Sequence, residues 1–267
     1  MLRSFAASQV LIASSFGLTF DVAHGDLNTA LLFDGVNDRV TFGPAPELGA
    51  STFTVETWFN WSGSAAKTTS TGGLTSAVPL VTKGRGEADG SNVDINYFLG
   101  IEGGKLAADY EEGTGQLSPG RNHPLIAATT VTANEWHHAA VTFDGTSMVI
   151  YLDGVVDGTL VVGPGRLPQW ASIQHAALGT ALRSTGSAGG FFAGVIDEAR
   201  IWNVARSGVE IRAAMGSEIT AEAGLLGAWH LDEGAGGVAV NTVVSGPDGS
   251  LVNGPTWVDG FVAPGPP

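Results

Sequence analysis

The segment Phe53–Trp61 alternates without a break. Phe53, Val55, Thr57, Phe59 and Trp61 fall on one side of an extended chain, and Thr54, Glu56, Trp58 and Asn60 on the other. A period of two predicts a strand with one face on a core and one face of mixed character. Residues 136–162 carry a second pattern. Trp136 to Phe143 reads as a strand, Asp144-Gly145 turns it, and Met148 to Leu152 returns. Asp153-Gly154 then turns the chain again into Val155-Val156 and Leu160 to Val162. Asp-Gly tolerates the positive φ of type I′ hairpin turns, and the pair occurs seven times. Further strands are predicted at 29–34, 38–42, 77–82, 95–101, 104–110, 173–180, 192–202, 224–231 and 255–258. One short helix is predicted from Gly208 to Met215, behind Ser207 as N-cap. Residues 62–76 and 111–124, rich in Ser, Thr, Gly or Pro, read as long loops.

Many short strands with no βαβ rhythm predict an all-β, antiparallel sandwich or barrel. A two-sheet jelly roll would bury Phe53, Val55, Phe59, Val141, Phe143, Ile150, Leu152 and Ile201 between or against its sheets. The 267 residues are 43% hydrophobic and only 14% charged, which suits a single sizeable core.

Charge narrows the partners. A net charge of −14 repels phosphate backbones and anionic lipids, which disfavours nucleic acid and membrane surfaces. It suits hard cations such as Ca²⁺. With no cysteine, disulfides, thiolate nucleophiles and cysteine zinc sites are excluded. Met1 to Gly25 has the form of a signal peptide. Arg3 is its positive end, Ser4 to Phe20 its apolar stretch, and Ala23-His24-Gly25 its small-residue cleavage site. No other stretch is long and apolar enough to span a bilayer. The expected organisation is a signal peptide at 1–25, one domain at 26–260 and a linker-like tail at 261–267. The expected location is extracellular or on the cell surface, and a cysteine-free exported module favours a bacterial source.

Five stretches carry a family resemblance. They are Leu32 to Val40 (LFDGVNDRV), Phe53 to Trp58 (FTVETW), Trp136 to Gly145 with Tyr151 to Gly154, Gly194 to Asn203 (GVIDEARIWN), and Gly224 to Gly236 closing with Asn253 to Val258. In order and spacing the chain resembles the LamG-like jellyroll family, within the concanavalin A-like lectin and glucanase superfamily. The resemblance implies a two-sheet sandwich over about residues 29–258. It says little about activity, because this fold hosts lectins, enzymes, adhesins and spacers.

Candidate chemistry is sparse. Glucanases on this scaffold resemble one another in a Glu-x-Asp-x-x-Glu strand, which sets three acids on one face. The nearest string here, Glu87 to Asn92, lacks the last acid. Asp197-Glu198 are adjacent and would point to opposite faces. No Gly-x-Ser-x-Gly elbow and no His-Glu-x-x-His occurs. The reading is therefore no enzyme, with no catalytic residues. Tryptophan is the usual platform for a sugar ring. Trp170, between Pro168-Gln169 and Ala171-Ser172, is the exposed candidate, followed by Trp58 with Glu56 and Asn60 on its strand face. For a metal, the resemblance implies calcium between the opening Phe-Asp-Gly turn and the Ile-Asp-Glu strand, at Asp34 and Asp197. The turn itself offers Asp38 and the Gly35 carbonyl as further oxygens. The function expected is a non-catalytic, calcium-stabilised module for extracellular glycan or protein. The alternatives are a spacer domain of a larger surface protein or an enzyme with an unrecognised site.

Overall fold

The computed structural model describes residues 28–64 and 66–263. The signal peptide expected at 1–25 lies outside them. Two antiparallel eight-stranded sheets form the sandwich. Across the first run Val155–Val161, Ser147–Leu152, Trp136–Phe143, Phe53–Trp61, Ala193–Trp202, Thr29–Asp34 and Thr256–Asp259, with Leu225–Trp229 also paired to Ala193–Trp202. Across the second run Val238–Ala239, Gly249–Val252, Arg39–Gly43, Ala176–Leu178, Val78–Lys83, Tyr97–Glu102, Lys105–Asp109 and Leu125–Thr130. A hairpin, Thr180–Leu182 with Ala188–Phe191, stands apart from both.

The alternation is realised where it was strongest. Phe53, Val55, Phe59, Val141, Phe143, Ile150 and Ile201 lie in the main core, and Leu152 packs against it part-buried. Asp153-Gly154 makes the expected tight turn, both residues at positive φ (51° and 72°). Asp157-Gly158 does not turn: it lies within Val155–Val161, at a shift of register. The helix is Gly208–Ala214, and Ser207 caps it in a capping box with Glu210. Leu125–Thr130, Gly249–Val252 and the Pro46–Leu48 3₁₀ turn were not anticipated.

The second face of Phe53–Trp61 differs from expectation. It is not open. Thr54, Glu56 and Trp58 are buried. Trp58 Nε1 donates to the Met215 carbonyl, and the indole stacks on Phe261 with ring centroids 3.5 Å apart at 14°. The region after the helix and the C-terminal segment therefore roof this sheet, and the ordered fold reaches past 260 into the supposed tail.

Candidate functional site

Two groups of acids stand out, one on each sheet. The first begins at a β-bulge. Ile196 and Ala199 both point into the core, three positions apart where alternation allows two. The register slips between Asp197 and Arg200, and Glu198 takes φ 49°. A bulge re-aims side chains, so the adjacent acids are not simply opposed. Asp197 is buried, its carboxylate accepting the N–H groups of Glu198 (2.8 Å) and Phe261 (2.7 Å). Burial pushes its pKa up to about 8. Glu198 turns to Arg200 (2.7 Å) and His230 (2.9 Å). Burial pulls the His230 imidazole down, but Glu198 outweighs it and holds the pKa above the usual value. Glu198, Glu218 and Asp232 can each bring a carboxylate oxygen within 4.8 Å of the others. They line a cavity of about 220 Å³ with Asn28 and Phe261.

This arrangement corrects the metal set read from sequence. Asp34 pairs with Ala193, four positions from Asp197, or ~13 Å at ~3.3 Å per residue. Asp34, Gly35 and Asp38 therefore do not meet Asp197. Asp34 Oδ1 instead accepts the N–H groups of Val36 (2.7 Å), Asn37 (3.1 Å) and Asp38 (3.4 Å). Asp38 Oδ2 accepts the Asp34 N–H (3.1 Å). Gly35 sits at φ 75°, the left-handed region such a turn requires. One oxygen of each carboxylate is thus used in making the hairpin.

The sugar-platform residues divide in the same way. Glu56 is wholly buried: its Oε1 accepts from Trp202 Nε1 (3.0 Å) and Arg206 (3.3 Å), with Arg200 at 3.8 Å. With Trp58 it lies under the roof, and Asn60 is part-buried at the end of the same strand. Trp170 differs, with 44% of its surface exposed. Its turn is hydrogen-bonded on both sides. Gln169 N–H donates to the Glu111 carbonyl (3.2 Å), and Ile173 N–H to the Asn92 carbonyl (2.9 Å). Trp170 thus stands in a turn tied at its flanks to Glu111, just past the Lys105–Asp109 strand, and to Asn92.

The second acid group lies there, on the outer side of the second sheet. Tyr110 points into the core, so Asp109 and Glu111 share the opposite side. The Asp-x-Glu spacing in AADYEE is visible in the sequence, but it lacks the longer Glu-x-Asp-x-x-Glu pattern that would mark it as a site. Asp109 is saturated: it accepts from His123 N–H (2.9 Å), Thr71 Oγ1 (2.5 Å) and Asn122 Nδ2 (3.0 Å). Glu111 Oε2 accepts the Ile95 N–H at 2.6 Å, whereas Oε1 has only Asn122 Nδ2 at 3.5 Å. Burial pushes Asp94 up to about 6, Asp109 to about 7 and Glu111 to about 8. Glu111 opens onto a cavity of about 250 Å³ also lined by Thr71, Arg85, Glu87, Asp89 and Arg183. Two carboxylates facing one substrate would suit glycoside hydrolysis. Asp109, buried and fully hydrogen-bonded, does not line the cavity; the carboxylates that do are Glu87, Asp89 and Glu111.

A family model described as the concanavalin A-like lectin/glucanases superfamily matches residues 34–212. A candidate carbohydrate-binding protein from Bacteroides ovatus ATCC 8483 shares the fold, with a TM-score of 0.59 and 19% identity over 89% of this chain. The chain spans 62% of that protein's length. A SAP-like pentraxin from Limulus polyphemus matches with a TM-score of 0.50 and 13% identity, covering 88% of this chain and 96% of its own. No curated protein matches the sequence. Among the described residues no helix is long and apolar enough to cross a membrane.

Proposed function

The chain belongs to the concanavalin A-like lectin/glucanase superfamily, and from that premise we propose that it is an exported, non-catalytic glycan-binding module. The observation that carries the reading is Trp170. It is a large aromatic left 44% exposed, in a turn whose flanking residues are hydrogen-bonded to Glu111 and Asn92. An exposed aromatic face held on a fixed turn is the chemistry that takes a saccharide ring. The same class of ligand is suggested by the fold shared with the Bacteroides ovatus protein. The lack of a Glu-x-Asp-x-x-Glu strand in the sequence supports binding without cleavage. Export rests on the pattern of residues 1–25.

Calcium belongs to the same reading, at Glu198, Glu218 and Asp232 rather than at the opening turn. Three carboxylates beside a cavity are a hard-oxygen set that suits Ca²⁺, and Asp232 keeps an oxygen free after accepting the Thr29 N–H. Bound there, the ion would tie the bulge to the segments at 218 and 232. A glycan array probed with and without calcium tests the function. Binding that falls at least tenfold in Trp170→Ala, with folding intact, supports it. Hydrolysis of any arrayed glycan that is lost on Glu111→Gln overturns it.

A further inference from the structure

A cavity of about 420 Å³ opens on the outer side of the second sheet and shares no lining residue with the cavities of the two acid groups. Its floor follows from strand alternation. Val40 and Phe42 belong to the core, so Arg39 and Thr41 face the other way. Thr41 is paired with Ser250 on one side and with Ala177 on the other, which sets Thr41 and Ser250 side by side. Gly43 ends the row without a side chain, and a Cβ there would meet nothing within 4 Å. One wall comes from the hairpin that belongs to neither sheet: Leu182 and its turn residue Gly186 line the cavity. Gly186 lies so near the His175 ring that a Cβ on it would stand 3.3 Å away. Asp248, just before the Gly249–Val252 strand, supplies another wall.

The groups that converge there are only partly used. Arg39 and Asp248 line one cavity, yet among the described residues neither forms an ion pair. Arg39 donates one terminal nitrogen to the Asn37 carbonyl (3.2 Å). Asp248 Oδ1 accepts the Asn241 N–H (2.8 Å), which holds the side chain in place and leaves Oδ2 for a ligand. Thr41 Oγ1 accepts the Gly43 N–H (3.2 Å) and keeps its own proton to donate. Ser250 is exposed, and its hydroxyl can do either. Burial, with the charge of Lys83, holds His175 below its usual pKa. At neutral pH the imidazole is therefore uncharged and offers one donor and one acceptor. Phe42 and Leu182, both buried, add apolar surface.

We propose that this cavity is a second saccharide site and that it takes the end of an uncharged glycan. The proposal rests on the reading of the chain as a glycan-binding module, and adds a place and a ligand class that Trp170 alone does not give. One guanidinium and one carboxylate cancel, so the cavity favours neither an anion nor a cation. Donors and acceptors set around a small apolar surface match a ring that carries hydroxyls on an apolar frame. Asp248 accepts from those hydroxyls and Arg39 donates to them, in charge-assisted bonds roughly twice as strong as neutral ones. The volume falls within the ~300–1,000 Å³ usual for small-ligand sites. An acidic sugar would instead meet Asp248 and a net charge of −14.

The test is binding to the uncharged and the acidic members of a glycan array, with melting to confirm folding. It compares the unmutated chain, Trp170→Ala, Asp248→Asn, Arg39→Ala, and Trp170→Ala combined with each of the last two. Asp248→Asn keeps an oxygen for the Asn241 N–H, and Arg39→Ala serves if that variant fails to fold. Trp170→Ala should retain weakened binding to uncharged glycans. Either added substitution should lower it by about tenfold or more, as the loss of one charge-assisted bond implies. Loss in Asp248→Asn and Arg39→Ala, with Trp170→Ala without effect, upholds this site and removes Trp170 from glycan binding. Residual binding that neither substitution lowers, or none at all in Trp170→Ala, overturns this site and leaves the glycan-binding reading standing. Residual binding confined to acidic glycans overturns the ligand class. An unmutated protein that binds no glycan overturns both.

Discussion

Both sheets carry a buried glutamate on the side away from the core, and the two are treated in opposite ways. Under the roof of the first sheet, Glu56 meets Arg200, Arg206 and Trp202, with His138 Nε2 3.7 Å from its second oxygen. Beneath the cavity of the second sheet, Glu111 and Asp94 meet no cation. A buried acid surrounded by arginines is a structural fastening, whose removal strands the charges it neutralised. Asp94 and Glu111 are met by neutral backbone and amide donors instead, so no buried cation depends on them. The contrast makes burial alone a poor guide to role, and the identity of the partners a better one.

The largest way to test the contrast is to cut the fastening. Glu56→Ala removes the buried carboxylate shared by Arg200 and Arg206, leaving them only the more exposed Glu198 and Glu222, a change that typically costs ~3–5 kcal/mol. At ~2–4 °C per kcal/mol, thermal melting should fall by roughly 6–20 °C. Calcium stoichiometry, measured below that melt, should not change.

Acid should attack the same face. Burial, with help from Arg200 and Arg206, depresses His138 from 6.5 to about 3. The unfolded chain then binds a proton that the folded chain refuses between those values. Stability from this group is complete above pH 6.5 and declines as pH falls toward 3. At ~1.36 kcal/mol per unit the whole effect is on the order of 5 kcal/mol. Denaturant unfolding of His138→Gln should show a flatter slope across that window. An unaltered slope would mean that another group governs acid unfolding.

Calcium should separate the two faces more finely. At a hundred times its dissociation constant an ion adds ~2.7 kcal/mol per site, or roughly 5–11 °C. Asp232→Asn should remove that increment. In chelator it should change stability by less than ~1 kcal/mol, since the amide oxygen can still accept the Thr29 N–H. An increment that survives in Asp232→Asn would place the ion elsewhere.

The smallest effect on folding is expected at the rim. Trp170→Ala should move stability by ~0.5 kcal/mol or less, as at other exposed positions, and weaken glycan binding at least tenfold. Melting and glycan titration of one preparation read both. A collapse in stability would place Trp170 in the core.

The sequence by itself determined the strands with clean alternation, the Asp153-Gly154 hairpin and the capped helix. These depend on a residue and its near neighbours, so local pattern suffices. It also carried Trp170, flagged by turn residues on either side, and the Asp109-x-Glu111 pair. Only the tertiary structure decided which acids meet. The bulge after Ile196 broke the alternation on which the opposed reading of Asp197 and Glu198 relied. The roof of helix and C-terminal segment turned Glu56 and Trp58 from a presumed outer face into interior. The register of Asp34 against Ala193 set the expected calcium ligands apart, while loop closure drew Glu218 and Asp232 to Glu198. Carboxylates act over a few ångströms, and contacts between residues far apart in the chain are fixed by register and packing, which no single stretch of sequence encodes.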